Sequence, residues 1–346
     1  MKRKSLSWII FVVSVAVVIV SAIYVIYFGA AATQEDISLT TQSEAGVSRV
    51  IVVRNDEPIS PIAKPTTLDR RAVELGVAIF HDPRLSHDNT ISCASCHDLV
   101  AGGVDRLPHS IGVGGKEGDI NAPTVYNSSL NFVQFWDGRA KDLAEQAVGP
   151  IHNPIEMASN WAEVLPKLNA DSDLVAQFKS VFGAPPNEEN IIEAIVAFER
   201  SLVTPSRVDR WLLGEDDAIT AEELEGYRIF IRHGCIACHQ GEGIGGNLYQ
   251  RFGIMHDYFD DKRTIINSDF GRYNVTKRDD DRYVFKVPTL RNIKLTPPYF
   301  HDASAATLEE AVARMGLFQL GVEIPAADIE KIVLFLQALT GEELEQ

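Results

Sequence analysis

Residues 91–98 read ISCASCHD, and residues 233–240 read HGCIACHQ. The two stretches hold all four cysteines of the 346-residue chain: Cys93, Cys96, Cys235 and Cys238. Each Cys-x-x-Cys pair is followed directly by a histidine, His97 or His239. An exported chain would ordinarily use four cysteines for two disulfides, which need no histidine. A redox dithiol does not need one either, and a second copy of it would be an unexplained coincidence. A zinc site drawing on both pairs would join residues about 140 apart, against the usual spacing of tens. Covalent haem attachment uses every member of the pattern. The two thiols add to the two vinyl groups, and the adjacent histidine is held beneath the iron as its axial ligand. The two copies predict two c-type haems.

The chain also resembles itself around these motifs. GVAIF (76–80) precedes the first motif and GYRIF (226–230) the second. APTVYN (122–127) matches VPTLRN (287–292), and FWDGRAKDLAEQA (135–147) matches FHDASAATLEEAV (300–312). Three matches in the same order imply two related domains, 66–205 and 206–346. Local periodicity is helical throughout. Leu68, Ala72, Leu75 and Ile79 fall on one helix face, as do Ile191, Ile195, Phe198 and Leu202, with Pro205 closing that element. TAEE at 220–223 has the spacing of a capping box, and its helix ends at Gly234. TLEE at 307–310 opens a helix carrying Leu308, Val312 and Met315 on one face. A last helix near 326–340 is expected to use Gly341 as its C-terminal cap. The expected fold is mostly α, with two cytochrome c-like haem domains related by an internal repeat and preceded by a transmembrane helix.

That transmembrane helix is the uncharged run from Trp8 to Phe28, 21 residues long. At about 1.5 Å per residue it is long enough for a hydrocarbon core of roughly 30 Å. Lys2, Arg3 and Lys4 precede it and belong on the cytoplasmic side, so the body is exported. Residues 1–32 thus read as an anchor, or as a signal segment cleaved after Ala32; an ordinary signal core is shorter, about 7–15 residues. The polar, proline-punctuated stretch 33–65 reads as a linker. The net charge is −16, and the three basic residues at the start leave −16 − 3 = −19 beyond Ala32. Such a surface would repel nucleic acid, which is excluded as a partner, and leaves room for a basic or neutral protein.

Two haems alone give electron transfer; an enzyme needs one iron with an open face and a positioned acid–base group. The seven other histidines read singly as surface or hydrogen-bonding residues, and Met157, Met255 and Met315 are available as thioether ligands. Longer stretches then become informative: DPRLS, GGVDRLP, NAPTVYN, QFWDGRAKDLAEQA, LRNIKLTPPYFHD and MGLFQLG. With them the chain resembles the bacterial dihaem cytochrome c peroxidases from about Leu68 to Leu344.

The resemblance implies reduction of hydrogen peroxide to water in the exported, periplasmic compartment. It makes 66–205 the peroxidatic haem domain, with His97 as proximal ligand, and 206–346 the electron-transfer domain, with His239 and a distal Met315. It places the catalytic glutamate at Glu156, the active-site glutamine at Gln146 and the tryptophan between the haems at Trp136. It also implies an interdomain calcium ion held by the Asn121 side chain and the carbonyls of Thr296 and Pro298. The electron donor would be a small cytochrome c or a cupredoxin, and homodimers are common in the family. One position departs from the pattern. Many members carry a ligating histidine where SIGVGG (110–115) has Val113, so the first haem is expected to be open without prior reduction unless His109 substitutes. A pure electron-transfer dihaem cytochrome and a cofactor-maturing dihaem relative are the competing readings; the latter uses tyrosine where this chain has Met315.

Overall fold

The structure is a computed structural model that describes residues 39–44, 47–260, 262 and 264–345. The chain divides into two compact units, 1–55 and 56–346. In the first unit, β1 (Leu39–Glu44) pairs antiparallel with β2 (Val47–Val52), with Leu39 opposite Val52 and Glu44 opposite Val47. Part of the expected linker is therefore a hairpin, whose valines and threonines suit extended backbone even without an alternating pattern. The apolar run Trp8–Phe28 lies outside the described residues. No helix among the described residues is long and apolar enough to cross a membrane.

The second unit is mostly helical. Its helices are α1 (Arg70–Phe80), α2 (Leu143–His152), α3 (Trp161–Asn169), α4 (Ser172–Phe182), α5 (Glu188–Ser201) and α6 (Arg207–Leu212). They are followed by α7 (Ala221–Arg232), α8 (Tyr273–Thr276), α9 (Leu308–Arg314) and α10 (Ala326–Ala338). A short antiparallel pair of β3 (Tyr249–Arg251) and β4 (Val284–Lys286), with α8 between its strands, lies between α7 and α9 in the sequence, with Tyr249 opposite Lys286.

The helix ends follow local chemistry. The Asp69 carboxylate accepts from Arg71 N–H at 2.9 Å and starts α1. Thr220 and Glu223 form the expected reciprocal box at the start of α7, at 3.2 and 2.8 Å. One expected cap is absent. Gly341 has φ −60°, not the left-handed value of a capping glycine, and α10 has already ended at Leu339. The glycine is needed for space instead: a Cβ there would lie 2.5 Å from Cβ of Thr204.

Two helix pairs organise the core, α1 on α5 and α7 on α10. Both contacts are unusually close, and a glycine permits each. A Cβ on Gly76 would fall 2.0 Å from the Ala194 carbonyl oxygen, and one on Gly226 would fall 2.0 Å from that of Lys331. Phe80 meets Phe198 across the first pair, ring centroids 5.1 Å apart; Phe230 meets Phe335 across the second at 5.4 Å. One buried apolar cluster gathers residues between Leu75 and Val196, a second those between Val208 and Leu339. The second also takes in Ile59, from the stretch expected to be linker. That stretch is fixed all along: Glu57 accepts from Tyr227 Oη at 2.7 Å, Ser60 N–H donates to the Gly241 carbonyl at 3.3 Å, and Ile62 N–H donates to Asp209 at 2.8 Å. An amide that finds a partner so far along the chain leaves no periodic trace in sequence.

Candidate functional site

Each Cys-x-x-Cys-His motif folds into the same tight turn. His97 N–H bonds to the Cys93 carbonyl and His239 N–H to that of Cys235, both at 3.0 Å. All four thiols are free. Burial pushes the Cys93 thiol up to about 12 and that of Cys235 to about 11, so both are protonated, and each carries the hydrogen that net thioether formation adds to a vinyl group. Each histidine presents Nδ1 to a backbone carbonyl, His97 to Gly103 and His239 to Ile244, each at 3.3 Å. That contact places the ring proton on Nδ1 and leaves the Nε2 lone pair for a metal. Burial lowers the pKa of both rings, that of His239 to about 4, so both are neutral, as ligands must be.

The second motif opens on a cavity of about 410 Å³. Cys235, Cys238 and His239 line it, together with Met315, Trp136 and Lys286, and the wall is largely apolar. Met315 starts a turn of π-helix, Met315–Leu320, rather than continuing the face of α9. The other methionines are placed elsewhere: Met157 is buried in the first apolar cluster, and Met255 is exposed. Asn121, Thr296 and Pro298 also reach this cavity. The Asn121 amide nitrogen donates to the Leu107 carbonyl at 2.9 Å, which leaves its oxygen as the available ligand atom.

Around the first motif the residues that matter lie on one connected segment. Gln146 is half-buried on α2, and Asn153 caps the end of that helix. The Asn153 amide donates to the Glu156 carboxylate at 2.6 Å. Burial raises the pKa of Glu156, against the pull of Asn153 and Arg139. Glu156 lies near enough to Cys96 to help raise that thiol's pKa. Val113 is buried, and its N–H donates to the Glu156 backbone carbonyl at 2.8 Å. Nearby, Nδ1 of His109 is engaged by Glu117 at 3.2 Å.

Trp136 connects the two regions. Its indole N–H donates to the Asn121 carbonyl at 2.9 Å, and the carbonyl of Pro123, two residues further on, lies close enough to His97 to favour its protonated form. The sequence reading did not single out His301. It is buried, bonds to Asp269 at 2.9 Å, stacks on Phe285 and meets Trp136 edge-on with centroids 6.3 Å apart. A signal for it existed: it occupies the place in FHD that Trp136 occupies in FWD.

Over 295 residues the chain is 50% identical to a cytochrome c551 peroxidase of Nitrosomonas europaea, covering 84% of this chain and 86% of that relative. The chain belongs to the di-haem cytochrome c peroxidase family. The family model itself matches residues 70–217. The cytochrome c peroxidase Ccp of Escherichia coli K12 is 48% identical over 83% of this chain, and the match spans 62% of that longer relative. A methylamine utilization protein MauG of Methylorubrum extorquens is more distant, 32% identical over 81% of the chain. Among solved structures, a MauG-like protein associated with microbial copper homeostasis superposes with a TM-score of 0.71 at 27% identity, covering 88% of this chain and 97% of its own. The diheme peroxidase BthA of Burkholderia thailandensis, 20% identical with a TM-score of 0.66, shares the fold. Membership of a di-haem family implies two c-type haems, and the neutral thiols and Nδ1-anchored imidazoles fit them.

Proposed function

We propose that this protein reduces hydrogen peroxide to two waters with two electrons from a small redox protein, a cytochrome c or a cupredoxin. The observation that carries the reading is the pairing of two like Cys-x-x-Cys-His turns with a raised-pKa carboxyl, Glu156, held by the Asn153 amide beside the first of them. Cys93 and Cys96 with His97 would hold one haem, and Cys235 and Cys238 with His239 and Met315 the other. The bound irons supply the redox chemistry.

The chain supplies binding and proton movement. The Glu156 carboxylate takes the proton from one peroxide oxygen and returns it to the other, so that water leaves rather than hydroxide. Its pKa, raised by burial, suits a group that must both accept and release a proton. Asn153 orients Glu156, and Gln146 holds the peroxide by hydrogen bonding. Trp136, bonded to the loop that reaches His97, lies on the route by which electrons arrive from the second haem. Asn121 Oδ1 and the carbonyls of Thr296 and Pro298 bind calcium at the edge of the second cavity. The matched helix pairs and motifs support two domains of common origin, and the run Trp8–Phe28 anchors the body to the periplasmic face of the inner membrane.

Valine offers no lone pair, so the first haem would be open in the resting protein unless Nε2 of His109, whose Nδ1 is held by Glu117, takes the vacant place. The test is the spectrum of the oxidised protein as isolated, followed by peroxide turnover before and after one-electron reduction. A high-spin signal lost on adding cyanide, with turnover before reduction, is expected. Two low-spin haems and no turnover in either state would identify an electron-transfer cytochrome instead.

A further inference from the structure

The cavity of the second motif contains a charge that the peroxidase reading does not use. Lys286 ends β4 with 5% of its surface exposed, and it lines the cavity. Its backbone is pinned: the N–H donates to the Trp136 carbonyl at 2.8 Å, and the residue pairs with Tyr249 on β3. The other cations on this wall have partners. Arg291 grips Asp209 with both terminal nitrogens, at 2.8 and 2.9 Å, and Arg251 holds Asp257 at 2.9 Å. Lys286 has no such carboxylate among the described residues, and burial alone acts on it, pushing its pKa down to about 8. A buried cation without a partner is strongly unfavourable, so the position calls for an anion brought by whatever fills the cavity.

We propose that Lys286 is the counter-ion of a haem propionate in the second cavity, and that the pair raises the reduction potential of that haem. This rests on the reading of the cavity as the second haem site. The sign follows from charge. Reduction adds an electron, and a cation held close in a dry cavity favours the electron-rich state. Without the ammonium, the propionate faces the iron uncompensated and favours the ferric form. Lys286 shares its wall with Trp136 and Met315, so the charge sits where electrons pass toward the first haem.

The experiment is a potentiometric titration of both haems in the full-length, haem-loaded protein, comparing wild type, Lys286→Met and Lys286→Arg. Lys286→Met should lower the equilibrium constant for reducing the second haem at least tenfold, which is 59 mV for one electron. The first haem and the near-infrared band of methionine ligation should not change, and Lys286→Arg should restore the potential to within a few-fold. If Lys286→Met loads haem poorly, Lys286→Gln should show the same lowering. An unchanged second potential in the neutral variants, or loss of the near-infrared band, overturns the proposal; the latter would mean that Lys286 acts by holding Met315 in place and not as a counter-ion. Two haems per chain with peroxide turnover but no shift would defeat the Lys286 proposal alone. Fewer than two haems in the wild type would defeat the peroxidase reading with it.

Discussion

Asn127 and Asn292 donate their side-chain amides to the same hydroxyl, that of Thr204, each at 2.9 Å. They occupy matching places in NAPTVYN and in VPTLRN, and both adopt a left-handed backbone, with φ of 59° and 60°. Their amide oxygens are also engaged, by Thr204 N–H at 2.9 Å and Gly341 N–H at 2.8 Å. Thr204 is fully buried. One side chain on the connection between the two cores therefore ties together equivalent loops from each.

Thr204→Val removes the shared acceptor while keeping the shape. Two buried amide groups then lose a partner, and each orphan costs about 1–3 kcal/mol. We expect a loss of roughly 2–4 kcal/mol in denaturant unfolding with an unchanged slope, and near-complete recovery in Thr204→Ser. An unchanged midpoint in the valine variant would show that water satisfies both amides.

Gly226→Ala and Gly76→Ala should each destabilise the protein although alanine is the better helix former. The propensity gain is at most about 1 kcal/mol. The added methyl would sit 2.0 Å from a backbone carbonyl, which cannot swing aside as a side chain can. Overpacking of this kind costs roughly 1–3 kcal/mol or more, so repulsion wins. Thermal unfolding of the two variants should show lowered midpoints; a raised midpoint in either would mean that the helices slide apart freely.

Glu156→Gln keeps the size and polarity of the side chain but cannot carry a proton. Peroxide turnover should fall by about 10²–10⁴, with both haem spectra unchanged. Full turnover in this variant would refute the proton-transfer role.

Glu199 gives a prediction in pH. It lies on α5 with one oxygen unpartnered, and burial raises its pKa from 4.5 to about 8. Below the lower value both folded and unfolded chains hold the proton, and burial carries no ionic penalty. As pH rises from 4.5 towards 8, the unfolded chain releases a proton that the folded chain keeps, so stability falls. Glu199→Gln should abolish that fall. Its advantage over wild type should be absent near pH 4 and reach the order of a few kcal/mol by pH 8. Parallel stability profiles for the two proteins would rule the effect out.

Helices with one apolar face and a capping residue were readable from the chain, because both signals are local. The haem motifs were readable for the same reason, since the ligand and its tethers lie within five consecutive residues. Gly341 was misread because its role depends on Thr204, which the chain reaches only by folding. Lys286 and Glu199 were invisible for a related reason: a buried ionisable residue looks the same in sequence as a solvated one. His301 lay between these cases, since the internal matches placed it opposite Trp136 but said nothing of its ring contacts.

The stretch from Glu57 to Ile62 has a consequence for assembly. It leaves the ribosome before either haem motif, yet its anchors, Asp209, Tyr227 and Gly241, are made at least 147 residues later. The C-terminal core can close only after a segment synthesised much earlier returns to it, and such long-range closure slows folding. A fragment beginning at residue 206 would lack Ile59 from its core and the backbone partner of Gly241. The halves of this molecule are thus interleaved along the chain, and cutting between them would leave the second half without its opening segment.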